Sequence, residues 1–496
     1  MRLKPGVTPP LADQLLQDSR ASLLPGWTPA LPAAALLILP TDALAHASDR
    51  GHLLLLPTGY YLLGGGLAVA ASFAVLMRLR GDALDRLYSA RLRIGSIGDG
   101  WRLPASLLSF AFLAILVAAG FLGSRDPLSN PLPLTIWTLV WVGLTLVQGL
   151  FGNLWAWIDP WYGPWRAINA LRGRKADDAP PLELPAWLGM WPALLLFFAF
   201  AWFELIYPAP DDPAILARIV GLYWLLTLTA MLAFGHGQWS RRGEFLSVFF
   251  GLVARFGMVE KLPAGGGRSR LNLCLPGAKL ATTMPLPPSG TLFLLAALGS
   301  VSFDGFSKTF FWLGANGINP LEFPGRSALT GINTAGLLGA CMALATVYFL
   351  CVQAGEAVAG SRRRPGIAAG LLVWSIVPIA LAYHLAHYLT ALLVNGQYAM
   401  VALSDPFALG WNLLGTAYMR VDAGVAMGSQ AAWTIWNFQA AAIVGGHVIA
   451  VLTAHQLAFR LHKAPRAALA SQLPLTLLMI AYTVLGLWLL STPTAG

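Results

Sequence analysis

Apolar runs of about 20 residues, separated by polar and turn-rich stretches, recur along the chain from residue 56 onward. At about 1.5 Å per residue, each run is long enough to cross roughly 30 Å of hydrocarbon as a helix. They fall near residues 56–77, 103–122, 132–157, 184–207, 213–234, 289–310, 329–352, 365–394, 431–459 and 467–490. The pattern predicts an all-α fold, a polytopic transmembrane helix bundle of about ten spans. Ahead of them, residues 1–27 are polar and 28–40 are apolar but short, and Ala43-Leu44-Ala45 matches a small-x-small cleavage site. Residues 1–45 therefore read as a signal-like leader or a first transmembrane helix, and 46–496 as a single polytopic membrane domain. Cleavage leaves His46 as the mature N-terminus, in HASDRGH.

Composition agrees with the pattern. The chain is 57% hydrophobic and 11% charged, against about 25% charged in soluble domains. The formal charge of +10 does not imply a nucleic-acid partner, because the cations are sorted by loop. Arg78–Arg102, Arg166–Lys175, Arg241–Lys279, Arg362–Arg364 and Arg460–Arg466 bracket the cation-rich segments, while the alternate segments hold only Arg50, Arg125, Arg218, Lys308, Arg326 and Arg420. The positive-inside rule then places the mature N-terminus and the C-terminus outside a bacterial inner membrane, with the lipid bilayer as the first partner. Cys274, Cys341 and Cys351 make no disulfide framework, since 341 and 351 lie too far apart along one helix. Trp155, Trp157, Trp161 and Trp165 are expected to form an aromatic belt at an inner helix end. Residues 245–256 read as a short interfacial helix, and 392–430 as the largest outer loop.

Against this apolar background the ionisable residues stand out. In AYHLAHYLTALLVNGQ, His384 and His387 are one helical turn apart and share a face. An ionisable group in a membrane span is unfavourable unless it faces the protein interior, and marks a candidate site. Counting residues along each span puts Asp304, in GSVSFDGFS, and Glu204, in AWFELIYP, in the same outer layer. His447, in GGHVIA, falls roughly 9 Å deeper by helical rise, and its glycines equally fit tight helix packing. His46 and His52 hang above the layer. His455, His462 and His236 read as interface or loop residues outside the site. The candidate catalytic carboxylates are Asp304 and Glu204. The candidate metal ligands are His384, His387, His447, Asp304, His46 and His52, a set that suits zinc, iron, manganese or copper as the divalent ion.

LGSVSFDGFSKT, HYLTALLVNGQ, GGHVIAVLTAH and NLWAWIDPW, together with AHASDRGHLLLLPTGYYLLGG and RRGEFLSVFFGLVARF, resemble a bacterial polytopic membrane family of fenitrothion hydrolases. The likeness covers nearly the whole chain after the leader, and its motifs are distinctive in combination. It implies a membrane-bound hydrolase of organophosphorus triesters, acting on a hydrophobic small-molecule substrate and releasing a nitrophenol and a dialkyl thiophosphate. Metal-assisted hydrolysis is the expected mechanism: an ion on His384, His387 and Asp304, with His447 as a fourth donor, lowers the pKa of bound water. Glu204, Asp405 and Asp422 are the candidates for a general base. Two other classes fit the same residues: haem or copper held by the histidines in an electron-transfer or metal-handling membrane protein, and a transporter with an intramembrane His/Asp proton relay. Oligomeric state leaves no mark in the sequence.

Overall fold

The computed structural model describes residues 58–78, 86, 88–175, 177–322, 325–361, 365–427 and 429–494. The leader, with His46 and His52, lies outside the described residues. Residues 52–496 form one compact unit, and among the described residues ten helices are long and apolar enough to cross a membrane. These are α1 (Thr58–Leu76), α2 (Arg102–Leu122), α3 (Pro131–Phe151), α5 (Trp191–Leu205), α6 (Pro213–Phe234), α9 (Pro288–Ser307), α10 (Arg326–Val358), α11 (Gly366–Ser404), α12 (Ser429–Leu461) and α13 (Pro465–Ser491). Shorter helices lie between them, among them α4 (Tyr162–Leu171), α7 (His236–Arg242) and α8 (Phe245–Val253). The all-α polytopic bundle expected from the periodicity is the fold, and the chain is a multi-pass membrane protein.

Burial separates two kinds of span. In α9 and α11, 78% of the apolar window is covered by the rest of the protein, against 22–44% in the other eight. Those two are the axis of the bundle. The others keep an apolar face outward, as lipid contact requires. Because lipid is as apolar as leucine, close packing between helices depends on small residues rather than on a hydrophobic drive. At the α11–α12 crossing, a Cβ on Gly446 would stand 2.9 Å from the Pro378 carbonyl and also strike Ala382, so only glycine lets these backbones approach.

The structure departs from the sequence pattern in four places. A small antiparallel sheet, in the order β1-β3-β2, forms from β1 (Leu92–Gly98), β2 (Val259–Gly265) and β3 (Arg268–Leu273). Gly265, Gly266 and Gly267, all at positive φ, turn β2 into β3. We use this sheet to name one end of the bundle. The helix α8 is not interfacial. Phe245, Val248, Phe249, Phe250, Leu252 and Val253 are all buried, with Phe249 against Trp141 and Phe250 against Trp155. Its apolar residues go all the way round, which is the pattern of a buried helix and not of a surface one. The tryptophans after α3 are not an exposed belt either. Trp155 and Trp161 are buried, and the indoles of Trp155, Trp161 and Trp165 donate to Ser247, Trp224 and Met231, pinning this segment to α6 and α8. Finally, α11 stays helical to Ser404, so part of the expected outer loop is helix.

Candidate functional site

Asp304 sits in the last turn of α9 and is 4% exposed. Its two oxygens are both engaged. Lys308, one turn on, donates from Nζ to Oδ1 at 2.7 Å. Across the helix interface, His387 of α11 donates from Nε2 to Oδ2 at 2.7 Å. Tyr388 reaches the same Oδ2 at 3.1 Å, and its hydroxyl also lies 3.4 Å from Glu204 Oε1 at the end of α5. Arg326, at the start of α10, donates to the Glu204 main-chain carbonyl at 2.9 Å. The far ends of α5, α9, α10 and α11 thus converge on a cluster of two carboxylates, an imidazole, a phenol, an ammonium and a guanidinium. A buried carboxylate requires this kind of company.

The pairing through Nε2 leaves His387 with a second ring nitrogen. No described residue hydrogen-bonds its Nδ1, and the side chain is 24% exposed. Gly305 of α9 packs beside the ring: a Cβ there would make ordinary contact with Nδ1, at 3.7 Å. Because a carboxylate only accepts, Nε2 carries the hydrogen, and Nδ1 in the neutral ring is a lone-pair acceptor. The arrangement is a carboxylate–imidazole dyad, with one nitrogen held by the carboxylate and the other without a described hydrogen-bond partner on a part-exposed ring.

His384, one turn before His387, faces elsewhere. Its Nε2 donates to the Trp141 carbonyl at 3.0 Å, and its ring stands edge-on to Trp141 and Tyr388. Trp141 lies in a π-helical stretch of α3, Leu134–Leu144. The wider i→i+5 ladder of such a stretch accompanies a Trp141 carbonyl that also accepts from Thr145 Oγ1 at 2.5 Å. His447 joins neither group. It is fully buried, its Nδ1 donates to the Ile443 carbonyl at 2.8 Å, and its ring lies 6.0 Å from that of Tyr383. Asp405 and Asp422 serve as turn formers, accepting from the main chain of Leu409 and Gly410 and of Gly424 respectively.

Of the residues expected from sequence, the fold therefore joins Asp304, His387 and Glu204, and separates His384 and His447 from them. The donors also bear on a metal ion. Among the described residues, no group of three or more His, Cys, Asp or Glu is arranged to hold one. At Asp304 the positions a cation would take are filled by an ammonium and an imidazole N–H. The described donors around Asp304 do not by themselves form a metal shell.

Sequence reading missed Lys308 and Tyr388. Lys308 had a signal: it is four residues after Asp304, on the same helix face. Tyr388 had none, because its role depends on which helix α11 meets. Two further carboxylate–imidazole pairs were also passed over. His462 donates to Glu356 at 2.8 Å, and His236 to Asp159 at 3.2 Å, all four residues buried. His455 is fully enclosed by protein, against Gln472.

Comparison of the chain with family models, with curated proteins and with solved structures returns no match.

Proposed function

We propose that the protein is a hydrolase of organophosphorus triesters embedded in the bacterial inner membrane, with His387 as the general base and Asp304 as the residue that orients it. The observation that carries this reading is the Asp304–His387 pair, with Nε2 committed to the carboxylate and Nδ1 without a described hydrogen-bond partner on a part-exposed ring. The resemblance to the fenitrothion hydrolase family supplies the substrate class. The positive-inside pattern supplies the side, placing the cluster in the outer half of the bilayer.

In this mechanism His387 Nδ1 takes a proton from water as the water oxygen bonds to phosphorus. The P–O bond to the aryl group breaks and the aryloxide leaves. The imidazolium returns its proton to the aryloxide, giving a nitrophenol, and the dialkyl thiophosphate ionises, releasing one proton. Asp304 stabilises the imidazolium that forms in between. The Lys308 ammonium has three N–H donors and Asp304 occupies one of them, so the others can stabilise charge that develops on the phosphoryl oxygen or sulfur. Tyr388 and Glu204 support the dyad from the side of α5. A greasy triester partitions into lipid and reaches the cluster laterally.

The test is nitrophenol release by purified protein from a fenitrothion-like phosphorothioate. Loss of a positioned general base lowers the rate by about 10²–10⁴-fold, and His387→Gln is expected to fall in that range. Dialysis against a chelator is expected to leave the rate unchanged, since the dyad needs no ion. A His387→Gln variant that hydrolyses at the wild-type rate rules the mechanism out, and a wild-type protein without turnover rules out the function.

A further inference from the structure

The helix α12 and the residue that follows it carry a second set of buried ionisable groups that the dyad does not use. His447, His455 and His462 are spaced eight and seven residues apart. At about 100° per residue they fall within roughly 80° of one another around the helix, and at about 1.5 Å rise they are separated by about 12 and 10 Å along it. Their exposures are 0%, 0% and 8%. Three imidazoles on one face of a spanning helix, all enclosed by protein, are unfavourable unless they have a task.

Two of them are met by polar groups from a neighbouring helix, and the third by its own helix and an aromatic ring. At the sheet end, His462 Nε2 donates to Glu356 Oε1 of α10 at 2.8 Å, and the other oxygen of that carboxylate is buried without a hydrogen-bond partner. Further in, His455 Nδ1 lies 3.3 Å from Gln472 Oε1 of α13. Further still, the Nδ1–H of His447 is held by the Ile443 carbonyl. Its Nε2 is therefore a lone-pair acceptor, and it too is buried without a hydrogen-bond partner. The His447 ring lies beside Tyr383 of α11, whose own ring is 5.3 Å from Tyr482 of α13. The Tyr482 hydroxyl shares a 2.6 Å hydrogen bond with Ser302 of α9, two residues before Asp304. Titratable or hydroxylic groups thus run from Glu356 at one end of the bundle to Asp304 and His387 near the other. They follow the seams that α12 makes with α10, α13 and α11.

We propose that this file is a transmembrane proton path, in which His462, His455 and His447 pass protons, with intervening water, between the sheet end of the bundle and the Asp304–His387 cluster. An imidazole suits such a relay because one nitrogen accepts while the other donates. The unpartnered Glu356 oxygen and His447 Nε2 are acceptors without a donor, which is where a proton or a bridging water would bind. The path goes beyond triester cleavage and stands whether or not the cluster is a hydrolase. Where the cluster is one, the path offers an exit for the proton freed in each turnover.

The experiment uses the full chain in phospholipid vesicles loaded with a pH-sensitive dye, with a potassium diffusion potential to drive protons. Wild type is expected to acidify the lumen above the protein-free rate. His447→Leu and His455→Leu are each expected to reduce that flux to the protein-free level. His384→Gln, off the file and able to keep its bond to the Trp141 carbonyl, is expected to conduct as wild type. Should a leucine variant fail to incorporate, Glu356→Gln and His462→Gln probe the same path from its sheet end, with the same loss expected. Wild-type flux no greater than that of empty vesicles overturns the proposal, as does undiminished flux through correctly incorporated file variants. Flux without triester cleavage leaves the path standing and removes the hydrolase reading, and cleavage without flux does the reverse.

Discussion

Two aspartate–histidine pairs lie at opposite ends of this bundle, and they are built from the same chemistry. At the sheet end, Asp159 accepts from His236 Nε2 at 3.2 Å, from the main-chain N–H groups of Trp161 and Tyr162, and from Arg102 at 3.4 Å. The His236 ring is bracketed by Tyr162 and Trp165 and is 5% exposed. At the far end, Asp304 accepts from His387, Lys308 and Tyr388, but the His387 side chain is 24% exposed and its Nδ1 has no described hydrogen-bond partner. The difference lies in enclosure and in what the carboxylate is doing for the main chain. Asp159 fastens the turn between α3 and α4 to α2 and α7, and its pair is a latch. Asp304 fastens no turn, and its pair leaves the second nitrogen of His387 uncommitted. A dyad seen in a structure is therefore weak grounds for catalysis until the second nitrogen has been followed to its surroundings.

The comparison breaks most visibly if the two histidines are exchanged in role. His387→Ala is expected to lower triester turnover by about 10²–10⁴-fold, whereas His236→Ala is expected to leave turnover per folded molecule near wild type and to lower the melting temperature. Nitrophenol release beside thermal unfolding in detergent separates the two outcomes, and equal losses of turnover from both would erase the distinction. Next in size is the latch itself. Removing one partner of a buried ion pair costs about 3–5 kcal/mol, so Asp159→Asn is expected to unfold well below wild type, with far-UV circular dichroism as the measure. A smaller effect is expected at Gly305→Val, whose branched side chain crowds Nδ1: roughly a tenfold loss of kcat/KM, equivalent to about 1.4 kcal/mol, with little change in melting temperature. The smallest effect is a pH limb. Burial raises the Asp159 carboxyl, but the bond and charge of His236, with Arg102 and the Tyr162 N–H, outweigh it and hold the group below its ordinary 3.8. A depressed carboxylate stabilises the fold above its unfolded value and loses that contribution as pH falls through the lowered one. Acid melts are therefore expected to show a limb below about pH 4 that Asp159→Asn removes.

The two ends also differ in how legible they were. The spans, their number and the all-α class could be read from the chain, because a hydrocarbon layer imposes a length and a polarity on every segment that crosses it. Depth could be read too. Counting along helices set Asp304, Glu204 and His387 at one level, and those three are joined in the structure. The sheet escaped because its strands are short and solvent-facing and draw their order from pairing between segments over 150 residues apart, Arg93 with Asn272 and Ser96 with Arg270.

Rotation about the helix axis is what the sequence alone did not determine. His384 and His387 share a face in the chain, yet one meets the Trp141 carbonyl on α3 and the other meets Asp304 on α9. A 100° step between residues resolves one face of a helix but does not say which neighbour occupies each part of it. The same holds for His455 and His462, whose depth near a helix end was clear and whose enclosure against α13 and α10 was not. Length, polarity and depth are properties of one segment in its solvent, and the sequence carries them. Which donor meets which acceptor is set by how helices pack around α9 and α11, and only the tertiary structure decides that.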